Sequence, residues 1–254
     1  MLMVPQNSLQ QVRLVRNRIE TATSAAGRNV DSVTLLAVSK GHSANSIRAV
    51  AQSGVRDIGE SYLQEALEKI EALKDLSLTW HFIGRLQANK TRIIATHFDW
   101  VHGVERLKIA ERLSEQRPFH APPLNVCLQV NIGGEGSKGG VPVAELPALA
   151  AAVGALPRLK LRGLMCIPPD EDDPARQRMW FAQMRRALEA LNAPGAGKVP
   201  GSGNATGAGL DTLSMGMSGD FEAAIAEGAT IIRIGTALFG ERPRAKTTSP
   251  QQPI

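Results

Sequence analysis

The stretch "TLSMGMSGDFEAAIAEGATIIRIGT", residues 212–236, decides the fold. A short apolar run (212–214) breaks into Gly, Ser and Met, a helical period follows (218–227), and a second apolar run (231–234) ends on Gly235-Thr236. Strand, loop, helix, strand, loop is the repeating unit of a parallel sheet. The same alternation runs back towards the front, with strands expected at 33–38, 55–58, 79–83, 100–101, 124–131 and 159–165. Helical periods lie between them at 44–53, 62–74, 88–96, 105–116, 143–154 and 172–191, and one more precedes them at 7–27. Eight strands separated by helices predict an α/β fold, a single-domain (β/α)8 TIM barrel with an extra N-terminal helix. An open doubly wound sheet has the same period. Against it, no G-x-G-x-x-G follows the first strand.

The 254 residues suffice for one large core, built from Ala, Val, Leu and Ile because aromatics are only 4%. The expected barrel occupies 1–242, followed by a solvated, disordered tail at 243–254. Residues 193–209, "APGAGKVPGSGNATGAG", read as a loose inserted loop. The formal charge of +5 favours anions, phosphorylated ligands among them. Basic residues do not interleave with aromatics in a stripe, so no nucleic-acid partner is expected. Cys127 and Cys166 sit inside apolar runs as reduced core thiols without metal-ligand spacing. The start lacks a secretory apolar segment and no run is long enough to span a bilayer. The expected setting is the cytoplasm, with no membrane partner.

Chemistry in such a barrel belongs at the carboxyl ends of the strands. The first strand, in "SVTLLAVSKGHS" (32–43), ends on Ser39-Lys40. A lysine there is either snorkelling to water or an amine kept neutral by a dry, cationic setting, ready to form a Schiff base with an aldehyde. The second strand runs into "GESYLQE" with Ser61 and Tyr62, the third is "WHFIG" with His81, and the sixth ends "GLMCIPP" with Met165. The last two loops carry Ser214, Met217, Ser218, Gly219, Gly235 and Thr236. Small residues and hydroxyls after strands seven and eight suit a phosphate, with Ser218 placed to cap the following helix. Arg233, between Ile232 and Ile234, needs a buried acceptor or an inward ligand. His81 reads more readily as a hydrogen-bonded core histidine than as a base. Asn131, Glu135 and Lys138 are either mouth residues or a polar loop. An imine-forming lysine with a phosphate cradle fits a phosphorylated sugar, as in aldolase chemistry, or pyridoxal 5′-phosphate.

The segments "LLAVSK", "GESYLQEALEKI", "WHFIGRLQANKTR", "FDWVHGVERLKIAERL", "LNVCLQVNIGGEGSKGG", "LPRLKLRGLMCIPP" and "LDTLSMGMSGDFEAAIAEGATIIRIGTALFGER" together resemble the pyridoxal phosphate homeostasis protein family, related to the barrel of alanine racemase. The resemblance runs in order from about residue 7 to residue 242. It implies pyridoxal phosphate bound as an internal aldimine on Lys40. Ser214, Ser218, Gly235 and Thr236 would hold the phosphate, and Arg233 would face the pyridine nitrogen. Ser61, His81, Asn131, Met165 and Met217 complete the expected cofactor-binding set. The family usually has Asn where Ser61 stands, and often Thr-x-Pro where Gly41-His42-Ser43 follows the lysine. The implied role is carrying or buffering the cofactor without strong catalysis, with apo-enzymes as candidate partners; the lack of a second domain makes a monomer the expectation. The alternative is a racemase-like enzyme, which needs an acid/base opposite the lysine, from the single tyrosine, Tyr62, or from a partner subunit.

Overall fold

The computed structural model describes residues 6–136, 139–193 and 209–242. The tail expected at 243–254, the loop expected at 193–209 apart from its two ends, and Lys138 lie outside the described residues.

The β-branched runs form eight parallel strands, β1 (Thr34–Val38), β2 (Asp57–Glu60), β3 (Thr79–Phe82), β4 (Trp100–Val104), β5 (Leu124–Val130), β6 (Leu159–Cys166), β7 (Thr212–Ser214) and β8 (Ile231–Ile234). They pair in chain order and close, β8 returning to β1 with Leu36 opposite Arg233. The helices lie outside: α1 (Gln6–Ala25), α2 (Ala44–Gln52), α3 (Leu63–Ala72), α4 (Thr91–His97), α5 (Leu107–Gln116), α6 (Leu146–Gly154), α7 (Pro174–Asn192), α8 (Phe221–Ala226) and α9 (Thr236–Phe239). The extra N-terminal helix α1 buries Val12, Val15 and Ile19, spaced for one helical face, and packs against α2, α8 and α9 across the closure between β8 and β1.

Closure has sequence requirements. A Cβ on Gly163 would stand 1.9 Å from the Thr212 carbonyl oxygen, so β6 can approach β7 there only as glycine. The amino end of the barrel is plugged by Arg162, which donates from Nε and Nη2 to Asp211 at 3.0 and 2.9 Å and lies over the Trp100 ring. The carboxyl end is left for ligands.

Three local expectations are corrected. β4 does not stop at Val101 but continues to Val104, past an irregularity in its pairing with β5. α8 begins at Phe221 with Asp220 in the capping position, so Ser218 is not its cap. A short helix, α9, follows Gly235 where only a loop was expected. Among the described residues, no helix is long and apolar enough to cross a membrane.

Candidate functional site

A cavity of about 320 Å³ opens at the carboxyl ends of the strands, in the size range of small-molecule sites. Lys40, Ser61, Met165, Met217, Ser218, Arg233, Gly235 and Thr236 all line it. Strands β6 and β8, the loops after β1, β2, β7 and β8, and the start of α9 thus bring eight of the eleven expected residues together. A hollow of about 800 Å³ lies on the flank between α1 and α7–α9, but its charged groups pair with one another or with neighbours, Arg18 with Glu222 and Arg178 with Glu227. It has no convergent set of polar groups; the smaller cavity has.

Lys40 is half-buried, and its pKa is lowered, first by burial and then by the positive charges of Arg242 and Arg233, with Glu60 opposing them. Each of the first three effects favours the neutral amine, which is the nucleophilic form. The backbone on both sides of Lys40 is pinned. The Ser39 hydroxyl donates to Glu60 Oε1 at 2.5 Å, Lys69 Nζ donates to the Ser39 carbonyl at 2.7 Å, and the Gly41 amide donates to Glu65 Oε1 at 2.6 Å. Lys69 ties these together through Glu60 at 2.6 Å and Glu65 at 2.5 Å. Lys69 and Glu60 are both buried, and among the described residues Glu60 Oε2 has no hydrogen-bond partner. Burial pushes the Glu60 carboxyl upward despite Lys69 and Ser39.

Across the cavity, Arg233 is buried within β8. Its Nη1 donates to the Ser214 carbonyl at 2.6 Å and to Ser214 Oγ at 3.0 Å, and its Nη2 to the Cys166 carbonyl at 2.8 Å. The guanidinium is therefore fixed by the ends of β6 and β7. Beside it, the loop after β7 turns tightly, the Met217 amide donating to Asp220 Oδ1 at 2.5 Å. Gly219, at the rim, has open space where a Cβ would stand. Gly84 serves the opposite rim: a Cβ there would come within 2.3 Å of the Ser61 carbonyl oxygen, so glycine lets the loops after β2 and β3 meet.

Three expected residues do not line the cavity. Ser214 lies beneath it, bonded to Arg233 and to His102. His81 is deeper still, between Asp57 and His102, and is a core histidine as its surroundings in sequence suggested. Asn131 donates to the Glu135 carbonyl at 2.9 Å and ties down the loop after β5. Conversely, His42, Ile83, Ile167 and Arg242 line the cavity unannounced. His42 stacks on Phe239 with ring centroids 5.1 Å apart, and burial, then Lys69 and Arg242, lower its pKa. Tyr62 is 55% exposed and is not among the lining residues.

A closed barrel with a lysine ending its first strand and a small-residue cradle after its last two defines a class before any comparison is made. The family model described as alanine racemase, N-terminal domain, matches residues 13–243. The chain is 56% identical over 233 residues to the pyridoxal phosphate homeostasis protein of Pseudomonas aeruginosa, covering 92% of this chain and 95% of that one. It is 48% identical over 235 residues to the protein of the same name from Escherichia coli K12, covering 91% and 95%. Among solved structures, PipY of Synechococcus elongatus with PLP bound is 39% identical with a TM-score of 0.73, covering 88% of this chain and 100% of that one. Alanine racemase from Corynebacterium glutamicum shares the fold, at 20% identity and a TM-score of 0.64 over 92% of this chain and 62% of that one. The chain belongs to the pyridoxal phosphate homeostasis protein family.

Proposed function

We propose that this chain binds pyridoxal 5′-phosphate in the cavity at the carboxyl end of the barrel and serves cofactor homeostasis, not turnover. The observation that carries the reading is the pairing, in one cavity, of a half-buried amine beside Arg242 and Arg233 with a rim of small and hydroxyl residues. When bound, the cofactor supplies an aldehyde that condenses reversibly with a neutral primary amine, releasing water. Lys40 is the amine, and the clamp of Ser39, Glu60, Lys69, Glu65 and Gly41 aims it. Ser218, Gly219, Gly235 and Thr236 would hold the phosphate, Arg233 would face the ring nitrogen, and Ser61, Met165 and Met217 would flank the ring.

The same residues argue against strong catalysis. A guanidinium at the ring nitrogen disfavours protonation there and so weakens the ring as an electron sink. A racemase needs an acid/base facing the lysine from across the ring. Tyr62 is outside the lining, and His42, two residues beyond Lys40, belongs to the lysine's own flank. The exposed rim residues Met217 and Thr236 suit exchange of cofactor with apo-enzymes. We further propose that the chain works as a monomer in the cytoplasm, where its two buried thiols, their pKa pushed up to about 12, stay protonated and inert.

The test is addition of pyridoxal phosphate, borohydride reduction and peptide mass analysis. The pyridoxyl adduct is expected on the Lys40 peptide, and Lys40→Ala abolishes both the adduct and the visible absorption band. An adduct elsewhere, or rapid amino-acid racemisation that depends on Lys40, overturns the reading.

A further inference from the structure

A row of polar side chains crosses the interior of the barrel from the cavity to the amino end. Arg233 Nη1 donates to Ser214 Oγ at 3.0 Å, Ser214 Oγ lies 2.8 Å from His102 Nδ1, His102 Nε2 lies 2.9 Å from His81 Nδ1, and His81 Nε2 lies 3.0 Å from Asp57 Oδ1. Five strands contribute one residue each: β8, β7, β4, β3 and β2. Arg233, Ser214, His102 and His81 are buried, and Asp57 at the far end is half-buried.

With both imidazoles neutral, the two ends fix the direction. A guanidinium can only donate and a carboxylate can only accept. Asp57 therefore takes the Nε2 proton of His81, which leaves His81 Nδ1 to accept from His102 Nε2–H. His102 Nδ1 is then bare and accepts the Ser214 hydroxyl proton, so the Ser214 lone pairs face Arg233. Each proton is used once. Reversing the row requires one further proton on the buried histidines, and burial, then His81 and Arg233, lowers the pKa of His102 well below the ordinary value. Burial lowers His81 as well, Asp57 opposing. Both shifts disfavour that further proton.

We propose that His102 is a positioning residue for the cofactor cavity: by committing the Ser214 hydroxyl it holds the Arg233 guanidinium in place, while His81 and Asp57 fix the direction of the row. The proposal rests on the pyridoxal phosphate reading for its consequence, but the row itself is independent of any ligand. His102 touches neither cavity nor cofactor; it acts only through Ser214.

Nitrogen-15 spectra of the unliganded protein test the row first: His102 is expected as the Nε2–H tautomer, and an Nδ1–H or doubly protonated ring overturns the proposal. Titration with pyridoxal phosphate tests the consequence. His102→Leu is expected to weaken binding roughly tenfold and to move the absorption maximum of the Lys40 adduct. His102→Asn, whose carbonyl can stand where Nδ1 stood, recovers most of the affinity and the wild-type band. A folded His102→Leu with wild-type affinity and spectrum overturns the positioning role. If that variant does not fold, Ser214→Ala decides, with the same weakening and band shift expected and an unchanged titration refuting. If the wild-type protein forms no adduct on Lys40, the cofactor reading fails, and the tautomer spectra still judge the row.

Discussion

The Lys40 backbone and the Arg233 guanidinium face one cavity but are held by different physics. On the lysine flank, formal charges do the holding: Lys69 sits among the Ser39 carbonyl, Glu60 and Glu65. On the arginine flank, neutral groups do it, with carbonyls of Ser214 and Cys166 and a hydroxyl backed by two neutral imidazoles. The difference suits the tasks. The proposed imine chemistry needs a neutral lysine; its clamp pairs Lys69 with Glu60 and Glu65, and Glu60 still opposes the neutral form at Nζ. The arginine stays charged throughout, and oriented dipoles hold it without adding a counter-charge that would draw it away from a ligand. A buried ionic clamp is brittle when one partner is lost, whereas a neutral row loses only hydrogen bonds.

The largest effect that would break this contrast is on stability. Lys69→Met leaves the Glu60 carboxylate buried with only the Ser39 hydroxyl, and a loss of roughly 3 kcal/mol is expected at neutral pH in urea unfolding. The sign with pH follows from Glu60. Its carboxyl is already raised in the folded protein, and further so without Lys69, so between the unfolded and folded values the native state binds more protons. The deficit is therefore full above the folded pKa and shrinks as pH falls through it. Pairing Lys69→Met with Glu60→Gln should recover most of the loss at all pH. A single variant as stable as wild type would show that the lysine flank is no more ionic in its energetics than the arginine flank.

A smaller effect is expected at the rim, which belongs to neither flank. Thr236→Ala removes a hydroxyl beside the proposed phosphate and should weaken cofactor retention roughly tenfold, the contribution of one hydrogen bond to a charged group. The Lys40 adduct should still form at high cofactor concentration, because the clamp is untouched. Equilibrium dialysis before and after borohydride separates the two.

What could be read in the sequence divides along the same contrast. Lys40 and the small residues of the last two loops were legible because each follows the end of an apolar run, and Arg233 because a charge stands inside one, between Ile232 and Ile234. The supports were not. His102 follows Trp100-Val101 and precedes Gly103, so the apolar run stops short in sequence and the strand expected there ends before the residue that matters. Glu65 and Lys69 have the spacing of an ordinary solvated pair on a helix, and nothing local reveals that Glu60 from β2 buries that lysine. Arg242 comes after the last strand, where the chain reads as entering its tail, yet its side chain lies against Gly41 at the lysine end of the cavity. Partners that meet across strands leave no periodic trace.

Arg242 offers the subtlest separation of the flanks. After burial it is the strongest of the influences lowering the Lys40 pKa, ahead of Arg233. The rate of covalent capture follows the neutral fraction of the amine, so it rises with pH and levels off above the folded pKa. That pKa is below the ordinary lysine value, so levelling is expected at a lower pH than for a free lysine side chain. Arg242→Gln removes one of the lowering charges, and the midpoint of the rate profile should move to higher pH. If Arg242 acted instead as a phosphate ligand, its loss would weaken binding and slow capture at subsaturating cofactor while leaving the midpoint where it was. The stopped-flow profile over pH therefore distinguishes an arginine that tunes the amine from one that grips the ligand, and an unmoved midpoint would assign the tuning to burial and Arg233 alone.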